Sequence, residues 1–174
     1  QLVRKAYDDF DFKRITRALT DFANVELSAF YFDIRKDTLY CDAPSSLKRR
    51  SALFVIRKLF DCLVLWFAPM MPFTTEEAWA ILCGTTLAST PSAGNVTIFT
   101  EVYQPQPVQP DAALLLSRWA RLREIRGLVT RKLEDLRSAG SIGASLQGEA
   151  DLRASGDDLA LLRSVAEQLP FIFI

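Results

Sequence analysis

The chain has 174 residues, 49% of them hydrophobic, which is enough for one or two domains with a real core and too apolar for a disordered segment. It has no histidine, which removes the commonest general base, and its three cysteines, Cys41, Cys62 and Cys83, form no CxxC pair that would favour a zinc site. Its net charge is zero, which on its face argues against a nucleic-acid partner, and no apolar run approaches the roughly 18–20 residues that span a bilayer.

Asp11 is placed to cap a helix that starts at Phe12. Phe12, Ile15, Leu19, Phe22, Val25 and Ala29 recur at steps of three and four, which is one helical face. The helix is expected to run to about Lys36, stopped by Asp37-Thr38 and then by Asp42-Ala-Pro44. A second long helix begins near Ser45 or Ser46. Leu47, Ala52, Ile56, Phe60, Leu63 and Phe67 lie on one side of it, Arg50, Arg57 and Asp61 on the other, and Pro69 ends it. Thr74-Thr-Glu-Glu77 has the spacing of a capping box, and the short helix it opens ends before Gly84.

Residues 84–110 read as a loop broken by Pro91, Gly94 and Pro105-Gln-Pro107. Inside it, Val96-Thr-Ile-Phe-Thr-Glu-Val-Tyr103 is β-prone and fits an isolated edge strand, and Gln104 to Pro110 fits an extended connector. A third long helix follows Asp111, with Leu115, Trp119, Leu122, Ile125, Val129, Leu133 and Leu136 as its apolar stripe and Gly140 as its terminator. Beyond it, Ala150-Asp-Leu-Arg-Ala154 alternates like a strand. Asp157 can cap a helix that reaches Gln168 and stops at Pro170, and Phe171-Ile-Phe-Ile174 reads as a buried strand. The apolar run at the last residue reads as the edge of a longer protein. The pattern is mainly α: a bundle of three long helices and one short one over residues 1–140, with a small α/β appendage over 141–174.

The zero net charge hides a segregation. Residues 1–67 carry 12 basic and 9 acidic side chains, net +3, and residues 118–138 carry 7 and 3, net +4. Residues 68–117 have 4 acidic and no basic side chains, net −4, and residues 139–174 have 2 basic and 5 acidic, net −3. Such clustering fits local phosphate binding, and it equally fits solvated helix faces.

Catalytic signatures are missing: no GxGxxG or GxxxxGK[ST] phosphate loop, no HExxH, no GxSxG and no cysteine–histidine constellation. Three basic features remain. Arg35-Lys36 follows the aromatic Phe30-Tyr-Phe32 at the end of the first long helix, and Lys48-Arg-Arg50 opens the second. They flank Tyr40, whose ring could stack on a base, while the alternative has Tyr40 packed on the bundle and the cations paired with Asp33, Asp37 and Asp42. The third is the face carrying Arg118, Arg121, Arg126, Arg131 and Lys132, best read as pairing with Glu124, Glu134 and Asp135. Trp66, Trp79 and Trp119 sit in or beside apolar stripes and read as core, as does the Met70-Met71 pair. The thiols are expected to be buried or inert in a reducing compartment, and Gln1-Leu-Val-Arg-Lys-Ala6 lacks the shape of a signal peptide.

Several segments together resemble the anticodon-binding domain of isoleucyl-tRNA synthetases. They are Ala6-Tyr-Asp-Asp-Phe-Asp-Phe12, Asn24-Val-Glu-Leu-Ser-Ala-Phe-Tyr-Phe-Asp-Ile-Arg-Lys-Asp37, Arg49-Arg-Ser51, Trp66-Phe-Ala-Pro-Met-Met-Pro-Phe-Thr-Thr-Glu-Glu-Ala-Trp79, Leu122-Arg-Glu-Ile-Arg126 and Ile142-Gly-Ala-Ser-Leu146. The proline turn after Trp66 is shared with synthetases for valine, leucine and methionine, and the segment through Lys36 is the more isoleucine-like one. One departure is Ser145-Leu-Gln-Gly148, where family members often have Ser-Leu-Glu-Ala. The resemblance implies a class Ia synthetase-type helical bundle that binds the anticodon stem-loop of isoleucine tRNA. Arg35, Lys36, Lys48, Arg49 and Arg50 would lie against phosphates, and Tyr40 against a base. It implies no catalytic residue, cofactor or metal within this segment. ATP, magnesium and, in many bacterial members, zinc belong to the rest of a cytoplasmic, monomeric parent with no DNA or membrane partner. The alternatives are the same domain of a valyl- or leucyl-tRNA synthetase, or a helical protein-interaction module.

Overall fold

The computed structural model describes residues 1–84, 97–103 and 105–173, and none of these residues lies in a strand. The mainly α expectation holds. The chain forms two compact units, Gln1–Pro105 and Gln106–Ile174. This packing boundary falls ahead of the third long helix, whereas the sequence reading divides the chain behind it, at residue 140.

The first unit contains α1 (Leu2–Asp8), α2 (Phe12–Asp21), a π-helical stretch (Phe22–Phe32), α3 (Asp33–Cys41), α4 (Leu47–Phe67), α5 (Pro72–Leu82) and a 3-10 turn (Ile98–Thr100). Asp11 caps α2 as expected, its Oδ1 accepting from the Arg14 amide at 3.0 Å. Such a cap contributes about 1 kcal/mol. The backbone stays helical through Asp21 and Asp33, so α2, the π stretch and α3 form one continuous rod. That rod outruns the expected stop at Lys36. Asp37 and Thr38 do not end it, because Thr38 is buried within the last turns. It stops at Cys41, where Asp42 turns extended (φ −69°, ψ 149°) two residues before Pro44.

The π stretch also changes which side chains face inward. Val25 and Ala29 are exposed, and Leu27, Ile34 and Thr38 are buried instead; Phe12, at the first position of α2 and ahead of the π stretch, is exposed as well. Bonds from i to i+5 widen each turn, so the inward face returns later than a 3.6-residue period predicts. Leu27, eight residues after the buried Leu19, is buried within the π stretch, where the wider turns bring it closer to the direction of Leu19.

Two clusters hold this unit together. Ala6, Ile15 and Leu19 are buried beneath Val3, Tyr7, Leu63, Trp66, Phe67 and Met70, which brings the far end of α4 onto α1 and α2. Tyr7 donates its hydroxyl to the Trp66 carbonyl at 2.5 Å. Val64, Ala68 and Ile98 form the second cluster, with Phe60, Leu65, Ala78 and Trp79 around them. Burying a side chain the size of Ile15 or Leu19 contributes about 1.5–3 kcal/mol. Trp66 and Trp79 thus act as core residues, and the Nε1 of each is buried with no hydrogen-bond partner among the described residues.

The start of α5 differs from the capping-box expectation. The helix begins at Pro72, two residues before the expected cap at Thr74, because proline at the first helical position is pre-set in φ and forfeits no bond. Thr75 donates to the Met71 carbonyl at 2.9 Å. The neighbouring Glu76 accepts from the Ile98 amide at 3.0 Å and ties the 3-10 turn to α5. The β-prone run over 97–103 is therefore a turn anchored by one nearly fully buried isoleucine, since among the described residues no strand offers a ladder to pair with. Val96, Pro91, Gly94 and Gln104 lie outside the described residues.

The second unit contains α6 (Ala112–Ser138), a 3-10 turn (Ser145–Gln147), α7 (Gly156–Ser164), a further 3-10 turn (Ala166–Gln168) and α8 (Leu169–Phe173). The middle of the expected α6 stripe is the core: Leu122, Val129 and Leu133 are buried with Leu162, Ile172 and Phe173, and Trp119 and Ile125 pack against them. Leu115 and Leu136, at the ends of the stripe, are exposed. Neither expected strand forms. Residues 150–154 are irregular, and 171–173 belong to α8, whose first turn accepts Pro170 because the missing N–H there has no helical acceptor. With no adjacent strand among the described residues, the helix satisfies the backbone of this apolar run internally, and Arg126 Nε donates to the Ile172 carbonyl at 2.7 Å. Ile174 lies outside the described residues.

Gly140 terminates α6 as expected. Its φ is +72°, and the Gly140 and Ser141 amides bond to the Arg137 and Leu136 carbonyls at 3.0 Å each, the two bonds of a Schellman cap. At the sequence departure, Gln147 Oε1 accepts from the Gly143 and Ala144 amides at 2.7 and 3.3 Å. An amide oxygen thus does the accepting that a carboxylate would do. Gly148 lies against Leu133, whose Cδ2 would be only 2.6 Å from an added Cβ.

The arginine face of α6 is mostly structural, as the sequence reading prefers. Arg121 grips Asp158 of α7 through two bonds of 2.9 and 2.8 Å and Glu124 through one of 2.6 Å. Arg137 holds Glu134 at 2.8 and 2.6 Å, and Arg118 donates to Ser164 at 2.9 Å. The Arg121 hydrogen bonds hold the Asp158 carboxyl below its usual range, and those of Arg137 do the same to Glu134.

Two outcomes follow. Nothing lies within 4 Å of a Cβ added at Gly140, so Gly140→Ala costs only the left-handed backbone penalty, about 1–2 kcal/mol. Gly140→Asn recovers part of that loss in urea unfolding, because asparagine tolerates this conformation. Asp158 titrates lower folded than its unfolded value of about 3.9. Its contact with Arg121 is therefore stabilising above that value and is lost as the pH falls through the depressed folded value. Asp158→Asn is expected to be less stable than wild type near neutral pH. The gap closes in denaturation series taken toward about pH 2.

Candidate nucleic-acid interface

The two basic clusters lie on elements that pack on each other, in the first half of α3 and at the start of α4, joined by the turn of residues 42–46. Tyr40 is 85% exposed, which resolves the choice between core and solvent. It stands in the last turn of α3 and makes no side-chain hydrogen bond or ring contact among the described residues.

The six residues singled out by sequence differ in their surroundings. The side chains of Lys48 and Arg50 are exposed and have no ion-pair or hydrogen-bond partner among the described residues. Lys36 is exposed and pairs with Asp33 at 3.3 Å, one turn back. Such an exposed pair is weak and exchanges readily for another anion. Arg35 is half-buried and lies near Tyr31, whose hydroxyl is raised by burial and pulled back down by this guanidinium. Arg49 is half-buried and donates from Nη1 to the Asp42 carbonyl at 2.7 Å. The alternative pairing of these cations with nearby acids thus holds for Lys36 with Asp33. Asp42 engages Arg49 through its backbone carbonyl, and Asp37 pairs with neither cluster among the described residues.

Two further residues join this surface. Phe54 is exposed on α4, one turn beyond Arg50, and the Lys58 ammonium lies 5.8 Å from its ring centroid. A cation over an aromatic face in line with Arg50 continues the same basic and aromatic character along the helix. The spacing of 50, 54 and 58 was visible in the sequence. The second-helix reading assigned only Arg50, Arg57 and Asp61 to the polar side, and Arg57 turns out to be paired with Asp61 at 2.8 Å.

The cysteines differ from expectation. Cys41 and Cys83 are exposed, at the end of α3 and just past α5, where they face away from either core. Cys62 is half-buried, and burial with the nearby Asp61 carboxylate raises its thiol, opposed by Lys58. Among the described residues no helix is long and apolar enough to cross a membrane.

Known proteins place these features in a family. The anticodon-binding domain of tRNA ligase matches residues 1–152. The isoleucine–tRNA ligase of Agrobacterium fabrum is 55% identical over 161 residues, which is 91% of this chain and 16% of that protein. That of Bordetella avium is 46% identical over 172 residues, 99% of this chain and 18% of that protein. That of Bartonella quintana is 50% identical over 147 residues, covering 84% of this chain and 14% of that protein. The chain therefore spans less than a fifth of the length of these relatives. An exposed aromatic ring between two basic clusters, on a helical frame matched along most of its length, is in keeping with that match, and the chain belongs to the anticodon-binding domain family of tRNA ligases.

Proposed function

We propose that this chain binds the anticodon stem-loop of isoleucine tRNA as part of a cytoplasmic, monomeric isoleucine–tRNA ligase. That parent joins isoleucine to its tRNA with ATP and magnesium. Catalysis, and any zinc, belong to other parts of the parent, and neither DNA nor a membrane is a partner. Residues 1–140 supply the tRNA-facing helices, and residues 141–174 form an appendage to them. The observation that carries this reading is the solvent-facing Tyr40 between cations whose side chains are free or only weakly paired, in a chain of this family.

The chemistry fits a loop rather than a duplex. An anticodon loop offers unstacked bases, the usual targets of sequence-specific RNA reading. Tyr40 supplies a ring for one of them, worth about 1–3 kcal/mol whatever the base. Arg35, Lys36, Lys48 and Arg50 meet phosphates, which fix the register of the loop without reading it. Arg49 belongs to the same surface, at the turn between the clusters. The domain serves the reaction by orientation: holding the anticodon fixes where the acceptor end of the tRNA lies.

The names of the relatives favour isoleucine over valine and leucine. An anisotropy titration with isoleucine tRNA and a non-cognate tRNA tests this. The cognate tRNA should bind more tightly, with log affinity falling against log salt by roughly 0.7 per phosphate neutralised on a single strand. In the full-length ligase, Lys36→Ala should raise KM for tRNA and leave adenylate formation unchanged. An equal loss of both activities overturns the assignment, and salt-insensitive binding points to a protein-interaction module instead.

A further inference from the structure

Arg49 stands apart from the other five residues of the surface because its guanidinium is already engaged. Its Nη1 donates to the Asp42 carbonyl at 2.7 Å, across seven residues. Asp42 is the first residue beyond α3 and has left the helical conformation, so no helical amide can satisfy that carbonyl. The Asp42 carboxylate is engaged as well, accepting from the Ser46 hydroxyl at 2.9 Å. Ser46 in turn caps α4, its Oγ accepting from the Arg49 amide at 3.4 Å. A hydroxyl has one proton to give and lone pairs to receive, and Ser46 uses both. The Ser46 amide closes the turn from inside, on the Ala43 carbonyl at 2.9 Å.

These bonds form a closed ring. Asp42 binds Ser46, Ser46 binds the Arg49 backbone, and the Arg49 side chain returns to the Asp42 backbone. The ring joins the last turn of α3, which carries Tyr40, to the first turn of α4, which carries Lys48 and Arg50. It therefore sets the placement of the aromatic ring relative to the free cations. A flexible turn would leave that placement to be ordered on binding, at a cost in affinity.

We propose that Arg49 is a positioning residue: it locks the turn of residues 42–46 and so presents Tyr40, Lys48 and Arg50 to the RNA, and it does not itself neutralise a phosphate. This rests on the tRNA-binding reading above. The planar guanidinium suits the task, because it holds a fixed direction where a lysine ammonium is a mobile point charge.

The test uses the full-length ligase, isoleucine tRNA and a salt series. Arg50→Ala, which removes a phosphate contact, should weaken binding and lower the salt slope by about 0.7. Arg49→Met should weaken binding with the slope unchanged, and Ser46→Ala should do the same without touching any cation. Arg49→Lys keeps the charge and should not rescue. A cycle with Tyr40 separates positioning from a general loss of stability. Tyr40→Ala should weaken binding about tenfold in wild type and clearly less in the Arg49→Met background, because the ring is then no longer held in place. Additive effects in that cycle overturn the proposal, as does a salt slope that falls for Arg49→Met and is restored by Arg49→Lys. Should Arg49→Met fail to fold by circular dichroism, Ser46→Ala carries the same comparison, and unchanged affinity in it overturns the proposal. If Tyr40→Ala, Lys48→Ala and Arg50→Ala all bind like wild type, the tRNA reading itself has failed at this surface. If they weaken binding and only the Arg49 and Ser46 variants do not, the positioning role alone has failed.

Discussion

The reversal at residues 42–46 is the constraint on which the first unit depends. It folds the rod that begins at Phe12 back onto α4, which at 21 residues is about 30 Å long. Only after that reversal can Leu63, Trp66 and Phe67, near the far end of α4, reach Ala6, Ile15 and Leu19. A looser turn would leave the apolar faces of both helices to find their own register. The bonds that make the turn tight are few and polar, and they sit at the surface. The burial they direct is apolar and lies at the far end of α4. The polar ring specifies the geometry, and the hydrophobic clusters supply most of the free energy.

The arginines of this chain illustrate how far charge counting goes. Both basic segments carry a similar excess of positive charge, yet their side chains do different work. On α6, Arg118, Arg121 and Arg126 reach across to α7 and α8 and spend their donors on Ser164, Asp158 and the Ile172 carbonyl. At the end of α3 and the start of α4, Lys48 and Arg50 remain exposed without partners among the described residues, and Arg49 alone is committed to the backbone. The difference comes from what faces each helix. The second unit brings a carboxylate, a hydroxyl and a helix C-terminal carbonyl within reach, and the turn brings only Asp42.

Much of the fold was legible. Asp11, Ser46 and Gly140 announce helix ends through local chemistry, and each performs the role its type suggests. The central stripe of α6 was readable because 27 residues of regular helix keep the 3.6 period. The reading failed where local pattern and tertiary partner disagree. Phe171-Ile-Phe looks like a strand by composition, but a strand needs a neighbour to complete its hydrogen bonds, so the segment forms a helix on α6. The Thr74–Glu77 pair has capping spacing, but Pro72 starts the helix earlier and leaves Glu76 to bind Ile98. Val25 and Ala29 were placed inward because nothing in the residues signals the π stretch that shifts the phase. At the candidate interface, Tyr40, Lys48 and Arg50 were singled out by type and spacing, and all three are exposed. Phe54 and Lys58 were passed over because a phenylalanine in an apolar helix reads as core until its exposure is known.

The amino-acid sequence by itself determined the helical class, several of the helix ends and the family, because these follow from local periodicity, local capping and matched residues. Whether Tyr40 faces water, which arginines are spent on structure, and that Asp42, Ser46 and Arg49 close a ring were decided by the tertiary structure alone. Each of those outcomes depends on which groups come within about 3 Å of one another, and hydrogen bonding at that range is directional. Spacing along a chain can bring such groups near, but it does not aim them.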